Sequence, residues 1–317
     1  MVLHKPFIFI LGAPRSGTTW LQLLLANHPQ MCSSVELRLV SHYISSWREH
    51  WAHEAGHVNS QGGYYFGLPV VWSRAEFDAF CREFLERVYS RVLATKPEAT
   101  HVLDKFPGNG PHIEAIKEFF PQAKFVHIIR DGRDVAVSMN AARDEIGYPM
   151  GGPMRTLGTR WSNHVRAAQK ASKWPEAYLE LRYEQLLSTP EAELQRVYQF
   201  CGLPASDELV RSVVDANKID KLRKSRAMPV AGVKAPPGHF RKGEAGGWRS
   251  AMTPMERRAF AQTANPLMLE LGYVTDANWW ADTVLQRAYL TSLERGCEAG
   301  FRFRDLTRRV IRKRDRS

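Results

Sequence analysis

The sequence contains few cysteines. Its 317 residues include four, at Cys32, Cys81, Cys201 and Cys297, and no two of them form a C-x-x-C pair. Such wide spacing is unlike a structural zinc site and unlike the disulfide framework of a small secreted domain. It predicts buried free thiols in a reducing compartment.

Long hydrophobic runs are missing as well. The chain has no uninterrupted apolar run of the roughly 18 residues that a membrane-spanning helix needs. The apolar residues near its start, FIFILGA, are too few for a secretory signal, and they lead into a turn without a small-residue cleavage site. This pattern predicts a cytoplasmic protein.

Acidic residues are scarce at the C-terminal end. The chain has 44 Lys and Arg against 33 Asp and Glu, a net charge of +11. Residues 301–317, FRFRDLTRRVIRKRDRS, hold eight basic and only two acidic residues. A nucleic-acid-binding protein typically spreads its basic residues over one face with aromatic residues between them. Because much of the excess positive charge lies in residues 301–317 instead, we expect no nucleic-acid partner.

The same basic end has a helical pattern. Phe303, Leu306 and Val310 recur at helical spacing among the arginines. We assign residues 276–317 to a helical basic extension that follows one domain over residues 1–275. A basic amphipathic helix is typical of peripheral contact with an anionic surface, here the inner membrane surface, and a solvated terminus is the alternative.

Short apolar runs alternate with helical patterns along most of the chain. Strands are predicted within FIFILG, THVLDK, KFVHIIR and AYLELRYE, and helices over residues 18–27, 74–93, 111–120, 132–142, 156–173, 190–201 and 206–216. Residues 32–72 are predicted to be irregular. The alternation favours an α/β fold with a central parallel sheet and helices on both faces.

Three of the four strands end in candidate site residues, PRSGTT, DK and RDGRD, at the edge of the sheet where α/β proteins bind ligands. The first motif lies in residues 7–20, FIFILGAPRSGTTW. Gly12 and Gly17 match a nucleotide triphosphatase P-loop, G-x-x-x-x-G-K-[ST], but Thr18 replaces its lysine. The glycines let backbone N–H groups approach an anion, and nearby side chains add further donors. These side chains are Arg15, Ser16, Thr18 and Thr19.

The second motif is RDGRDVAVS, after the third strand. Arg130 ends that strand and Ser138 lies in the helix that follows, so both could meet a second phosphate. For Arg133 we favour a role in a surface charge network with the neighbouring aspartates. The third motif, HFRKGEAGGWRS at 239–250, brings Arg241, Lys242 and Gly243 together. It is either an anion-binding loop with an aromatic lid or a solvated basic loop.

Together these motifs resemble the sulfotransferases that use 3′-phosphoadenosine-5′-phosphosulfate (PAPS) and release 3′,5′-ADP. PRSGTTW is similar to the 5′-phosphosulfate loop of that family, RDGRDVAVS to its 3′-phosphate motif and RKGEAGGW to its C-terminal loop. The resemblance implies the P-loop-like sulfotransferase fold and places Tyr183, in LRYEQLL, near the adenine. The implied donor-binding residues are Arg15, Ser16, Gly17, Thr18, Thr19, Trp20, Arg130, Ser138, Tyr183, Arg241, Lys242 and Gly243.

The resemblance also explains the missing lysine. A P-loop lysine serves the β- and γ-phosphates beside Mg²⁺, whereas PAPS has no γ-phosphate and the family uses no metal. Sulfuryl transfer resembles phosphoryl transfer, in which positioning and charge stabilisation dominate. Lys105, at the end of THVLDK, matches the family lysine that stabilises the leaving phosphate.

The general base differs between branches of the family. The steroid and phenol branch uses a histidine two residues after the lysine, and Pro107 stands at that place here. The carbohydrate and tyrosylprotein branches use a glutamate after the first helix, and HPQMCSSVELR supplies Glu36, with Arg38 at the position of the family arginine. Glu36 is therefore the predicted base, and three histidines are the alternatives, His42, His101 and His112.

The acceptor is predicted to be a hydroxyl-bearing molecule, a carbohydrate, a glycolipid or another small molecule. Aromatic residues between 40 and 72 could wall its pocket or could belong to the core. They are Trp47, Trp51, Tyr64, Tyr65, Phe66 and Trp72. Two other functions compete with the sulfotransferase prediction, a P-loop kinase of small substrates and a non-catalytic protein that binds anions or nucleic acid.

Overall fold

Five parallel strands form the central sheet of the computed structural model, which describes residues 2–241, 243–289 and 291–292. The strands are β1 (Phe7–Leu11), β2 (Met31–Ser33), β3 (His101–Lys105), β4 (Lys124–Ile129) and β5 (Tyr178–Arg182). Their order in the sheet is β2-β3-β1-β4-β5. The predicted parallel α/β architecture is confirmed, and β2 is a strand that the sequence pattern did not predict.

Twelve α-helices that lie entirely within the described residues surround the sheet, apart from the helical residues 284–289. They are α1 (Thr18–Ala26), α2 (Ser45–Ala55), α3 (Arg74–Leu93), α4 (Ile113–Phe119), α5 (Gly132–Ile146), α6 (Met154–Gln169), α7 (Tyr183–Ser188), α8 (Pro190–Cys201), α9 (Asp207–Ala216), α10 (Ile219–Ser225), α11 (Trp248–Ala251) and α12 (Pro254–Glu270). The seven predicted helices correspond to α1, α3, α4, α5, α6, α8 and α9.

Alternate residues of the central strands are buried on opposite faces of the sheet. Phe7 and Phe9 of β1 pack on one face against a cluster that includes Tyr89 of α3. Ile8 and Ile10 pack on the other face against residues of α1 and α8. Both faces of a parallel sheet are covered by helices, which explains why its strands are continuous apolar runs in the sequence.

A capping box at Ser73 and Glu76 fixes the start of helix α3. The Ser73 side chain accepts a hydrogen bond from the Glu76 backbone N–H, and the Glu76 carboxylate accepts one from the Ser73 N–H. This capping box satisfies two N–H groups that the first turn of a helix leaves without partners. Helix α3 accordingly begins at Arg74, as predicted.

Residues 32–72 are less irregular than predicted. A single π-helical segment, Leu39–Ile44, leads directly into α2. Helix α2 has a weak apolar stripe, because Trp51 is its only buried residue. The periodicity that reveals most helices in a sequence is therefore nearly absent from this one.

The predicted C-terminal extension is described only in part. Residues 284–289 are helical, whereas the basic segment 301–317, Cys297 and Lys242 lie outside the described residues. The other three cysteines are free and buried, as predicted. Within the described ranges, no helix is both long enough and apolar enough to cross a membrane.

Candidate functional site

The carboxyl ends of the strands open into one large cavity. Its volume is about 780 Å³, and its lining includes residues that follow each of the five strands and residues within 239–251. Strand β1 lies between β3 and β4, so the connections on either side of it run in opposite directions. Such a switch point creates the crevice in which open α/β sheets bind their ligands.

The loop after β1 is shaped by two glycines that cannot carry a side chain. A Cβ on Gly12 would lie 2.6 Å from the Ile128 carbonyl oxygen, and one on Gly17 would lie 2.6 Å from Cδ2 of Tyr183. Gly17 has φ +94° and immediately precedes α1. Arg15, between them, also has a left-handed backbone, with φ 69°. Strained conformations of this kind concentrate at functional sites.

Arg15 links the first motif to the other two. Its Nε donates to the Ser138 hydroxyl at 3.2 Å, and its Nη2 donates to the His239 carbonyl oxygen at 2.7 Å. Burial lowers the pKa of the Arg15 guanidinium, which shows how much solvent the loop excludes. Three segments that lie far apart in the sequence therefore meet at one arginine.

Arg130 forms the second cationic centre of the cavity. Its Nη1 donates to the Arg15 carbonyl at 3.2 Å, its Nη2 donates to the Glu244 carbonyl at 2.8 Å, and its guanidinium lies 4.3 Å from the centre of the Tyr183 ring. Its Nε is buried and has no hydrogen-bond partner among the described residues. A buried N–H without a partner is costly, so an anion in this cavity would gain a donor that is already desolvated.

Two aromatic side chains form the adjoining wall. The rings of Trp20 and Tyr183 meet edge to face at 5.8 Å. Trp20 Nε1 donates to the Asn217 carbonyl at 3.0 Å, which fixes the indole against α9. Both rings line the cavity next to Arg130, where they offer flat apolar surface.

Lys105 and Glu36 lie on the opposite side of the loop. The Lys105 ammonium donates to Glu36 Oε1 at 2.6 Å and to the Thr19 hydroxyl at 3.2 Å. The Lys105 side chain is 2% exposed and that of Glu36 is 31% exposed. Arg38 Nη2 lies 3.9 Å from the other carboxylate oxygen of Glu36. The predicted base and the predicted leaving-group residue are thus in direct contact, and Glu36 faces the open part of the cavity.

The C-terminal loop covers the Arg130 side of the cavity. Arg241 and Gly243 both line it. Arg241 Nε lies 3.8 Å from Glu145 of α5, and the Arg241 carbonyl accepts a hydrogen bond from Arg223 Nη2 at 3.0 Å. Gly243 has φ +67°, and a Cβ there would lie 2.9 Å from Ile219. The structure thus brings this loop to the same cavity as the first two motifs.

The sulfotransferase family model matches residues 6–207. The chain belongs to the sulfotransferase family. This confirms the family predicted from the motifs. The match covers the loops that carry Arg15, Glu36, Lys105 and Arg130, and it ends before the C-terminal loop.

Several relatives support this assignment. The chain is 29% identical over 213 residues to an uncharacterized protein of Aquifex aeolicus, an alignment that covers 64% of this chain and 26% of that protein. It is 27% identical over 214 residues to protein-tyrosine sulfotransferase A of Caenorhabditis elegans, covering 65% and 52% of the two chains. It is 32% identical over 142 residues to an omega-hydroxy-beta-dihydromenaquinone-9 sulfotransferase of Mycobacterium tuberculosis, covering 42% and 34%. The chain therefore spans about half or less of the length of these three relatives.

Solved structures of the family share the fold. A sulfotransferase domain from the curacin biosynthetic pathway has a TM-score of 0.53 at 19% identity, covering 83% of this chain and 97% of that one. A mouse sulfotransferase complexed with PAP has a TM-score of 0.52 at 16% identity, covering 92% and 90%. These similarities confirm the predicted sulfotransferase fold.

The aromatic residues of 40–72 do not wall the cavity in this member of the family. Trp47 packs on Phe80 and Phe84 of α3, and Trp51 stacks on Phe77. Of the two alternatives for this segment, core packing therefore holds for its tryptophans, since Trp72 also packs on Phe80. Tyr64, Tyr65 and Phe66 are exposed and do not line the cavity either. The cavity beyond Glu36 is lined by residues that the motifs did not indicate, namely Val35, Phe106, Pro107, Tyr148, Pro149, Met150 and His164.

Two of the cavity residues that the sequence did not indicate lie near the predicted catalytic pair. Burial raises the pKa of the Tyr148 hydroxyl, and the nearby Glu36 carboxylate raises it further. Burial also lowers the pKa of His239 to about 4, with Arg15 and Lys105 adding to the effect, so its ring is neutral at neutral pH. Tyr148 belongs to no recognisable motif, and His239 opens the third motif but was not among its predicted donor-binding residues.

The alternative histidines and Arg133 have structural partners. His42 contacts the Phe106 ring edge to face, and His112 Nδ1 is hydrogen-bonded to the Ser45 hydroxyl at 2.8 Å. His101, at the start of β3, is buried at the amino edge of the sheet. Arg133 is buried rather than at the surface, with a two-pronged ion pair to Asp131. It does rigidify the turn, as expected, but from inside the core.

Proposed function

We propose that this chain transfers a sulfuryl group from PAPS to the hydroxyl of an acceptor. The observation that carries the proposal is the position of the Lys105 ammonium, which contacts both Thr19 of the anion loop and the carboxylate of Glu36. Lys105 therefore connects a residue of the proposed PAPS-binding loop with the proposed proton acceptor in the same cavity. The family membership supports the same reaction class.

The donor set of the cavity fits PAPS. Its two phosphate centres would be held by Arg15 and the loop hydroxyls on one side, and by Arg130, Ser138 and the C-terminal loop on the other. The buried, unpartnered Nε of Arg130 supports this fit, since an anion there would satisfy it. Trp20 and Tyr183 would take the adenine. Lys242 and the absence of a metal in the reaction stay predictions.

The chemistry divides between Lys105 and Glu36. PAPS supplies a sulfuryl group on a 5′-phosphate leaving group. As the acceptor oxygen forms its bond to sulfur, the bond from sulfur to the phosphate oxygen breaks, and the acceptor proton passes to Glu36. Lys105 stabilises the negative charge that builds on the departing phosphate. The lysine is almost fully buried, so its charge acts with little solvent screening.

For the acceptor, we propose an alcohol or phenol on a largely apolar body. The walls beyond Glu36 are mostly apolar, with Phe106, Pro149 and Met150 among them, and the cavity lining within the described residues includes no Asn or Gln. Sugar sites usually need several such side-chain hydrogen bonds, so the carbohydrate alternative has less support here. Two relatives are named for their acceptors, tyrosine and an omega-hydroxy-dihydromenaquinone. Each of these acceptors has a hydroxyl group on a largely apolar body.

Calorimetric titration of the full chain tests the donor. We expect 3′,5′-ADP to bind without added metal and ATP with Mg²⁺ to bind much more weakly or not at all. Binding of ATP with Mg²⁺ but not 3′,5′-ADP would establish the kinase alternative and overturn the proposal.

Incubation with PAPS carrying a radioactive sulfuryl group, against matched panels of phenols, aliphatic alcohols and sugars, tests the acceptor class. The cytoplasmic location and the membrane contact through 301–317 remain predictions.

A further inference from the structure

Asp134 makes two hydrogen bonds to the C-terminal loop across a long sequence separation. It lies in the first turn of α5 and is buried. One carboxylate oxygen accepts the Gly246 backbone N–H at 2.7 Å, and the other accepts the Trp248 N–H at 2.9 Å. Trp248 is the first residue of α11. Asp134 thus satisfies N–H groups at the start of a helix to which it does not belong.

The rest of the loop is held by neighbours of Asp134 in the phosphate motifs. Arg130 donates to the Glu244 carbonyl at 2.8 Å, and Arg15 donates to the His239 carbonyl at 2.7 Å. The Arg133 guanidinium lies 3.8 Å from the centre of the Trp248 ring. The segment 239–248, here called the cover loop, is therefore held in part by residues of the first two motifs.

Bound PAPS would affect the arginine contacts and the Asp134 contacts differently. Arg15 and Arg130 are cations that would have to share their N–H groups between the cover loop and the phosphates. Asp134 is an anion, accepts hydrogen bonds only and is repelled by phosphate. A phosphate offers the Asp134 carboxylate no hydrogen to accept, so a bound nucleotide cannot draw Asp134 itself away from Gly246 and Trp248 as it can draw the two arginines.

We propose that Asp134 is a positioning residue that anchors the cover loop over the nucleotide and thereby sets the affinity for PAPS and 3′,5′-ADP. The proposal rests on the proposed sulfotransferase function. Asp134 acts through the loop backbone and not on the reacting atoms. It therefore governs donor binding and product release, while the transfer step at Glu36 and Lys105, on the other side of the anion loop, is left unchanged.

The test compares Asp134→Asn with Asp144→Asn in the full chain. Both variants remove one negative charge from α5, but Asp144 is exposed and, among the residues that the structure describes, pairs only with Arg143. In Asp134→Asn, the amide NH₂ group faces a backbone N–H donor, so at least one of the two bonds is lost. We expect the Kd for 3′,5′-ADP and the KM for PAPS to rise about tenfold or more in Asp134→Asn, because hydrogen bonds to charged groups are strong. We expect kcat at saturating PAPS to stay within about threefold, and Asp144→Asn to match the wild type.

Amide hydrogen exchange of the wild-type protein gives an independent measurement that needs no variant. The Gly246 and Trp248 amides should be protected without nucleotide, since both are bonded to Asp134. Free exchange of these two amides would overturn the proposal, and so would an unchanged Kd in a folded Asp134→Asn. A fall in kcat with an unchanged KM would also overturn it. If the wild type fails to bind 3′,5′-ADP, the proposed function fails, and the exchange data still decide whether Asp134 anchors the loop.

Discussion

The Lys105 ammonium lies 2.6 Å from the Glu36 carboxylate. Lys105 comes from the carboxyl end of β3, and Glu36 from the segment after β2, the strand beside it. The ion pair holds both groups in place before any substrate binds. The two residues should therefore respond differently to substitution, although they touch.

Glu36→Gln should abolish most turnover and leave donor binding intact. The amide keeps the shape of the side chain but cannot accept the acceptor proton. Loss of a general base typically lowers kcat about 10²- to 10⁴-fold, whereas the affinity for 3′,5′-ADP should change by less than about threefold. Steady-state kinetics and calorimetry measure the two quantities, and the exposed Glu49→Gln is the control. Near-normal turnover in Glu36→Gln would assign the base to another residue.

Lys105→Ala should lower kcat more than it weakens donor binding. The charge it removes is needed most as the leaving phosphate develops, so the expected loss is about 10²- to 10³-fold in kcat. Glu36 would lose its closest cation in the same variant, and Lys105→Arg should restore part of the rate by keeping the charge. Lys170→Ala, at an exposed lysine, controls for loss of a positive charge. A loss of 3′,5′-ADP affinity with kcat unchanged would show that Lys105 acts in ground-state binding and not in the transition state.

The anion loop and the parallel sheet could be predicted because local sequence encodes them. Gly12, Gly17 and the hydroxyl residues are adjacent in the chain, and the apolar strands are unmistakable in a doubly covered sheet. Tyr148 and Met150 could not be predicted, since each reaches the cavity only through the packing of the loop after α5. The aromatic residues of 40–72 could not be assigned either, because composition does not show whether Trp47 faces a pocket or packs on the side of α3.

Gly17→Ala should weaken donor binding as well as stability. Its Cβ would lie 2.6 Å from the Tyr183 ring, on which the Arg130 guanidinium stacks, so the ring and the arginine must move together. Gly62→Ala is a matched control, because Gly62 has φ +84° with no atom within 4 Å of the added Cβ. Both variants should lose about 1–2 kcal/mol of stability from the left-handed backbone. Gly17→Ala should lose roughly 1–3 kcal/mol more through overpacking.

The two glycine variants separate backbone strain from the collision with Tyr183. Urea unfolding measures their stability, and titration with 3′,5′-ADP measures binding. We expect a drop of about tenfold or more in affinity for Gly17→Ala and none for Gly62→Ala. Equal affinities in the two variants would show that the ring of Tyr183 does not position the donor site.

His127 should make the fold sensitive to acid. It is fully buried on β4, its Nδ1 is hydrogen-bonded to the Tyr178 hydroxyl at 2.7 Å, and its Nε2 is buried with no partner among the described residues. Burial, together with a smaller effect of the nearby Arg182, lowers the pKa of His127 from an ordinary value of 6.5 to about 3. Between these two values the unfolded chain binds a proton that the folded chain does not, so stability falls as the pH falls through this window.

The resulting loss can be isolated by substitution. From about pH 7.5 to about pH 5, the wild type should lose about 2 kcal/mol of unfolding free energy through His127 alone. His127→Gln keeps a hydrogen-bonding group near Tyr178 but does not titrate, so its stability should depend less on pH by that amount, whatever its stability at neutral pH. Urea unfolding at three pH values measures both slopes, and the exposed His50→Gln should keep the wild-type slope. If His127→Gln also keeps that slope, His127 gains its proton in the folded state, which would require that water reaches Nε2.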